Sequence, residues 1–456
     1  DAQESRGLGD VYKRQLFILL MFGFNTNVFA NDIKQAVNTA ISNSSVSKGS
    51  ISVSIKDVNT GKTVYELNPK MPTPPASIQK IVTSTPAFIL LGDDYKFQTK
   101  LYKNNKNEYL LVLGADPYLR TKDLTKIVKA LPKEIKLLAI DDSIIDGKEW
   151  REGWQWDDDL NPLMPKFSAY NIDKNLMEIA VVPTVKGCSA EIRTTVNYPT
   201  TFVNHMITDT KTDYKITRQN YISPDIITLE GTVEQKKSII KQIPVNSPKK
   251  YFKLRLSDAI IDANLSCSGV YPRKRLTSDY RLITYLSHDG INAQADILKR
   301  SNNLMAETVF KIAGKKYMGK NGTGSFEDGL KMLSDFCKKQ NIDTSNVNIV
   351  DASGVSKNNI MTADFMTEFL LKNCDYLEHR LTTAGEGTLS DRMFYLKDKL
   401  YAKTGTLSNI SSITGYITTK KNNKYVFCIM INTAKLKEAD KKMLEEYILR
   451  GIYIAG

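Results

Sequence analysis

Near the end of the chain, Tyr425-Val426-Phe427-Cys428-Ile429-Met430-Ile431 are apolar without a break. A strand of this kind has no polar face to offer water, so it belongs in the middle of a sheet covered on both sides. The residues after it predict a helix over 436–450, with Met443, Leu444, Tyr447 and Ile448 on one side. At the other end, a helix over 32–44 leads into Ile51, Val53 and Ile55, which alternate with Ser52, Ser54 and Lys56 as a strand requires. Asn59-Thr60-Gly61 turns the chain back along Thr63 to Leu67 and makes a hairpin. Pro72, Pro74 and Pro75 then stop the sheet and lead into a helix over 76–91. Helices and an antiparallel sheet interleave, so the expected fold class is α/β (α+β).

Between these ends, residues 98–275 are punctuated by Pro and Gly and hold short strand-like pieces at 109–114, 137–140 and 179–182. They read as an inserted domain with its own core, in one part or two nested ones. Helices return over 280–299 and 303–317. The expected division is therefore 31–97 with 276–456 as one domain and 98–275 as the insertion. Residues 1–15 resemble the translation of a sequencing adapter and are set aside. Leu16 to Phe24 is an apolar core too short to span a bilayer, and Val28-Phe29-Ala30 supplies small residues for a signal peptidase. The expectation is a secretory signal over 16–30, cleavage near Ala30 and a periplasmic protein.

The formal net charge is +13, but the lysines are scattered, as in Lys236-Lys237 and Lys315-Lys316, without a basic helix or an aromatic RNA-binding motif. No nucleic-acid partner is expected; an anionic cell-wall polymer suits an exported basic protein better. Self-association stays open. The five cysteines (Cys188, Cys267, Cys337, Cys374, Cys428) lack metal-ligand spacing, so neither metal nor other cofactor is expected. Cys428 reads as a buried thiol, and Cys188 with Cys267 is left open to disulfide pairing.

Three short motifs carry the chemistry: Ser77-Ile78-Gln79-Lys80, Ser301-Asn302-Asn303 and Lys403-Thr404-Gly405. Ser-x-x-Lys also occurs at Ser45, Ser238 and Ser247, but only Ser77 follows a strand and a proline turn and opens a helix. There, free backbone N–H groups and the positive end of the helix dipole favour a developing anion. Lys80, three residues on, faces Ser77. A serine needs a base to become a nucleophile, and His205, His288 and His379 stand in no triad pattern. Lys80 is the candidate base if desolvation and a neighbouring cation, expected to be Lys403, keep it neutral. Gly405 would let a substrate backbone lie close, with the N–H groups of Ser77 and Thr406 as an oxyanion hole.

These motifs, in this order, resemble those of the penicilloyl-serine transferase superfamily of penicillin-binding proteins and serine β-lactamases. The 220 residues between Lys80 and Ser301 make the chain similar to the class C low-molecular-mass penicillin-binding proteins, the D-alanyl-D-alanine carboxypeptidase/endopeptidase (S13 peptidase) family. Further matching segments are Gly114-Ala115-Asp116-Pro117, Gly153-Trp154-Gln155-Trp156-Asp157-Asp158, Asp351-Ala352-Ser353-Gly354 and Gly387-Thr388-Leu389. The resemblance implies acylation of Ser77 by a peptidoglycan stem peptide, with Lys80 as base and Ser301 as proton relay. It implies that Asn303, Lys403 and Thr404 bind the peptide and its carboxylate, and that β-lactams act as covalent inhibitors. It places Asp158 at the amino group of the substrate's third residue, against the plainer reading of Trp150, Trp154 and Trp156 as packing. Asp351 and Ser353 read as a structural turn. The competing readings are a β-lactamase and a non-catalytic wall-binding or sensor protein.

Overall fold

A computed structural model describes residues 32–219 and 223–456, so the expected adapter and signal segments lie outside the described residues. The chain runs α1 (Ile33–Ser42), β1 (Ile51–Asp57), β2 (Thr63–Leu67), a 3-10 turn (Ala76–Ile78) and α2 (Gln79–Leu91). Then come β3 (Lys96–Lys103), β4 (Tyr109–Val112), α3 (Thr121–Val128), β5 (Glu134–Ile135), β6 (Leu138–Asp141), β7 (Leu176–Val182) and β8 (Glu191–Thr194). β9 (Thr201–Asp209), β10 (Asp213–Gln219), β11 (Ser223–Glu234), β12 (Ile239–Pro244), α4 (Pro248–Asp262) and β13 (Ser266–Cys267) follow. The last part holds β14 (Arg281–Asp289), α5 (Gly290–Lys299), α6 (Asn303–Met318), α7 (Phe326–Lys339), α8 (Ala363–Lys372) and α9 (Cys374–Leu377). It closes with β15 (Thr382–Thr383), β16 (Leu400–Leu407), β17 (Ile410–Thr418), β18 (Lys424–Asn432) and α10 (Glu438–Ala455).

The largest sheet is antiparallel, in the order β15-β16-β17-β18-β1-β2. Its interior strand β18 is buried from Tyr425 to Ile431, and the two-residue period of a strand divides those side chains between two cores. Phe427, Ile429 and Ile431 pack with α1 and α10, through Ile33, Val37, Leu444, Ile448 and Ile452. Val426, Cys428 and Met430 join the core that contains Phe365, Met366 and Phe369 of α8. The same two-sided cover corrects the reading of β1. Its apolar set alternates as expected, but Ser52, Ser54 and Lys56 are buried too. Ser54 Oγ lies 2.8 Å from Thr367 Oγ1, and Lys56 pairs with Asp364 at 2.8 Å, so α8 supplies the polar partners that water would have.

Around this body lie a four-stranded sheet (β14-β3-β4-β6), two three-stranded sheets (β12-β7-β8 and β10-β11-β9) and the short pair β13-β5. β3 and β14 are antiparallel neighbours, so the chain leaves the large sheet's neighbourhood and returns to it along adjacent strands. That pairing overturns the helix expected over 280–299. Residues 281–289 form an edge strand hydrogen-bonded to β3, and the helix begins only at Gly290. Two smaller expectations also fail. On α10, Leu444 and Ile448 are buried but Met443 and Tyr447 are exposed, because the helix lies on the sheet along Lys441, Leu444, Glu445, Ile448 and Ile452. All five cysteines are free thiols: Cys188 is exposed and Cys267 half-buried, so that pair forms no disulfide, while Cys428 is buried as expected.

α6 ties the two regions together. Lys311 Nζ, wholly buried, pairs with Asp146 Oδ1 at 2.5 Å and donates to the Lys148 carbonyl at 2.8 Å. One turn further on, Lys315 donates to the Ser143 carbonyl.

Candidate active site

Ser77 sits in the 3-10 turn that enters α2 and is half-buried. The turn is tight: Ala76 has φ 54°, a left-handed conformation uncommon for a residue with a Cβ. Two glycines make room for it. A Cβ on Gly354 would lie 2.1 Å from the Ala76 carbonyl oxygen, and one on Gly405 would lie 2.9 Å from the Ser77 nitrogen and 2.4 Å from Ser412 Oγ. Gly405 therefore lets β16 approach the Ser77 turn, a demand of the protein itself as well as of any substrate.

Lys80 is wholly buried in the first turn of α2. Its Nζ lies 2.8 Å from Ser77 Oγ, 2.7 Å from Asn303 Oδ1 and 2.6 Å from the Ser353 carbonyl oxygen. Burial pushes the amine from 10.5 down to about 7, although Asp351 and Glu307 both favour its charged form. Loss of water, which the expectation named beside a neighbouring cation, is the leading cause at Lys80, and the expected cation that repels it is Lys403. That residue is also wholly buried, and burial first and Lys80 second hold it well below its ordinary range.

Ser301 lies between α5 and α6 with φ 62°, a second strained backbone beside that of Ala76. Asn302 caps α6 by accepting from the Met305 N–H at 3.0 Å, which fixes the turn. Lys403 Nζ donates to Ser301 Oγ and to the Thr404 carbonyl, both at 2.8 Å. Asn303 follows in the first turn of α6, and its Nδ2 donates to the Leu163 carbonyl at 2.9 Å. The three motifs thus meet: Lys80 bonds Ser77 and Asn303, while Lys403 bonds the serine two residues before Asn303. Thr404 Oγ1 donates to Thr388 Oγ1 at 2.8 Å, and Thr406 lies exposed further along β16.

The Trp-rich segment divides. Trp154 is buried, donates from Nε1 to Asp351 Oδ2 at 2.8 Å and packs edge-on against Trp150 and Phe167. Asp158 is half-buried near Asp157, Asp159 and Lys357; burial and its acidic neighbours raise its pKa. No hydrogen bond among the described residues joins it to Ser77, Lys80, Ser301 or Lys403. The histidines stand aside: His288 bonds Asp116 at 2.6 Å, and His205 and His379 are exposed.

Two acids lie beneath the site: Asp351, read from the sequence as part of a structural turn, and Glu307, which sequence reasoning missed. Asp351, wholly buried, accepts on Oδ1 from Gly354 N (2.6 Å), Asn359 Nδ2 (3.0 Å) and Gln79 Nε2 (3.2 Å), and on Oδ2 from Ser356 N (2.6 Å) and Trp154. This carboxylate folds the turn whose Ser353 carbonyl receives Lys80. Glu307 is also wholly buried, and its Oε1 accepts from the N–H groups of Ala352 (2.9 Å) and Ser353 (2.8 Å). Its place four residues after Asn303, on the same helical face, was the signal available in the sequence.

Known proteins resemble this chain over most of its length. Residues 33–448 match the profile of the D-Ala-D-Ala carboxypeptidase 3 (S13) family. The chain is 23% identical to a D-alanyl-D-alanine carboxypeptidase DacB of Haemophilus influenzae, over 93% of each chain. It is 22% identical to a D-alanyl-D-alanine carboxypeptidase of an Actinomadura species, over 81% of this chain and 76% of that one. The crystal structure of penicillin binding protein 4 (dacB) from Haemophilus influenzae superposes with a TM-score of 0.79 at 21% identity, covering 91% of this chain and 98% of that one. With the expected mixed fold present and the family profile spanning nearly every described residue, the chain belongs to the D-Ala-D-Ala carboxypeptidase 3 (S13) family.

Proposed function

We propose that the protein is a serine DD-carboxypeptidase and DD-endopeptidase of peptidoglycan, acting through an acyl-enzyme on Ser77. The observation that carries this is the surroundings of Lys80 Nζ. A neutral amine has two N–H groups and one lone pair. Two fixed acceptors, Asn303 Oδ1 and the Ser353 carbonyl, take the N–H groups, and the lone pair is left for the Ser77 O–H at 2.8 Å. Ser77 Oγ attacks the penultimate D-alanine carbonyl as Lys80 takes its proton. Ser301 relays that proton from Lys80 to the departing amine as the C–N bond breaks, which leaves an ester on Ser77 and a neutral Lys80. Water then attacks that ester, with Lys80 again as base. Lys403 and Thr404 receive the terminal carboxylate, whose arrival restores the charge that burial withholds from Lys403. Asn303 orients the peptide, the backbone at Ser77 and Thr406 receives the oxyanion, and Asp158 meets the third residue's amino group.

Penicillins would form the same ester and leave slowly. We also propose that residues 98–275 are an insertion in a domain made of 31–97 and 276–456; the side-by-side pairing of β3 and β14 supports this. A secreted, periplasmic location is consistent with a wall substrate, and no helix among the described residues is long and apolar enough to cross a membrane.

Labelling with fluorescent penicillin, together with D-alanine release from a stem pentapeptide, tests the reading. Wild type should be labelled durably and release D-alanine, and Ser77→Ala should do neither. Rapid nitrocefin turnover would mark a β-lactamase instead, and a folded wild type that takes no label would mark a non-catalytic wall-binding protein.

A further inference from the structure

Glu307 is the one carboxylate that α6 places beneath the reaction centre. Asn303 and Glu307 lie four residues apart, so one helical face addresses Lys80 twice: Asn303 directly, Glu307 through the Ser353 peptide. The path is short and fully buried. Glu307 Oε1 clamps the N–H groups of Ala352 and Ser353, and the carbonyl of that same Ser353 takes an N–H of Lys80 at 2.6 Å. The second carboxyl oxygen is unlike the first. Glu307 Oε2 is buried with the Ser353 hydroxyl beside it, and that hydroxyl favours the charged carboxyl. A wholly buried carboxylate is costly to keep. A residue needed only to hold the 352–353 turn would be served as well by a neutral amide.

Resting on the reading of Lys80 as the base, we propose that Glu307 is a positioning residue that sets the basicity of Lys80. It fixes the Ser353 carbonyl against the amine, and its negative charge raises the proton affinity of that amine. The charged groups facing Glu307 are Asp351 from the 351–356 turn, Arg151 from the Trp-rich segment, Lys311 from its own helix and Lys80 from α2. Burial and Asp351 push the Glu307 carboxyl up to about 7, while Ser353 and Arg151 favour its charged form.

The test is the acid limb of the acylation rate, read with fluorescent penicillin from about pH 5 to 9. Glu307→Gln keeps an oxygen for both backbone N–H groups and removes the charge. Lys80 then loses a proton-favouring neighbour, so the midpoint of the limb should move down by roughly 1 pH unit, the two proteins converging in stronger acid, where the wild-type carboxyl is itself protonated. Glu307→Asp keeps the charge and shortens the reach; it should lower the rate at every pH and leave the limb where it is. A limb unmoved in folded Glu307→Gln, with the rate reduced evenly, would mean that Glu307 is only a brace and would overturn the proposal. If that variant does not fold, Ser353→Ala leaves the backbone clamp intact and removes a hydroxyl that favours the charged carboxyl. It should move the limb in the same direction by less, and no movement, or movement upward, is equally fatal. Failure of the wild type to label would sink the enzymatic reading itself, a result distinct from a labelled enzyme whose limb stays put.

Discussion

Lys80→Met keeps the length of the side chain, deletes its nitrogen, and should make the protein more stable while abolishing its chemistry. Holding a lysine at about 7 against 10.5 in water costs about 5 kcal/mol at neutral pH. Three hydrogen bonds, to Ser77, Asn303 and Ser353, offset about 3 kcal/mol of that at ~1 kcal/mol each. The variant is thus expected to gain about 2 kcal/mol, visible as a melting temperature raised by a few degrees. The sign with pH follows from proton counts. Between about pH 7 and 10.5 the unfolded wild type carries a proton on this amine that the folded one lacks, so wild-type stability rises with pH through that window. The variant's advantage should be full at pH 7 and below, vanish at about pH 8 where the falling cost equals the ~3 kcal/mol of lost hydrogen bonds, and reverse by about pH 10.5. Urea unfolding of both proteins at several pH values measures the difference, and penicillin labelling confirms the loss of acylation. A variant less stable than wild type at pH 7, or an advantage that ignores pH, would refute the account of Lys80 as a strongly desolvated amine.

Gly354→Ala should lose about 3 kcal/mol or more, because it forces a side chain into a φ of 79° and onto the Ala76 carbonyl. Acylation by nitrocefin should fall at least about tenfold, since the displaced residue precedes Ser77; unchanged stability and rate would show that the turn has slack. Trp154→Phe deprives Asp351 Oδ2 of one of its two donors and should cost about 1–3 kcal/mol in urea unfolding, with only a modest loss of labelling. Asp158→Ala should weaken turnover of stem peptides while leaving acylation by simple penicillins nearly intact; equal loss of both would remove Asp158 from substrate recognition.

The ends of the chain were legible in the sequence because their structure is local. The hairpin at 51–67, the proline turn and the helix after it follow from periodicity and turn residues alone. The run at 425–431 announced a strand with two covered faces, and it has them. What was not legible depends on distant partners. β14 lies at a sheet edge with Leu282, Ile283 and Tyr285 exposed, so no apolar stripe distinguished it from a helix until β3 supplied its hydrogen bonds. Two-sided burial of β1 required α8, more than three hundred residues away. The motif residues stand out because acyl-transfer chemistry calls for such side chains, and Asp351 was legible as a turn within its segment, whereas Glu307 serves two backbone N–H groups, for which no motif is required.

One face of α6 carries Asn303, Glu307, Lys311 and Lys315 at every fourth position, and each reaches a different part of the molecule. The first two attend to Lys80, directly and through Ser353, and the last two grip the stretch 143–148. Cutting out residues 98–275 would therefore strand a wholly buried ammonium, Lys311, without its counter-ion, in the same helix that aligns Asn303 with Lys80. The long middle region is thus no detachable accessory. A shortened enzyme would need new partners for this row of polar groups before its serine could react.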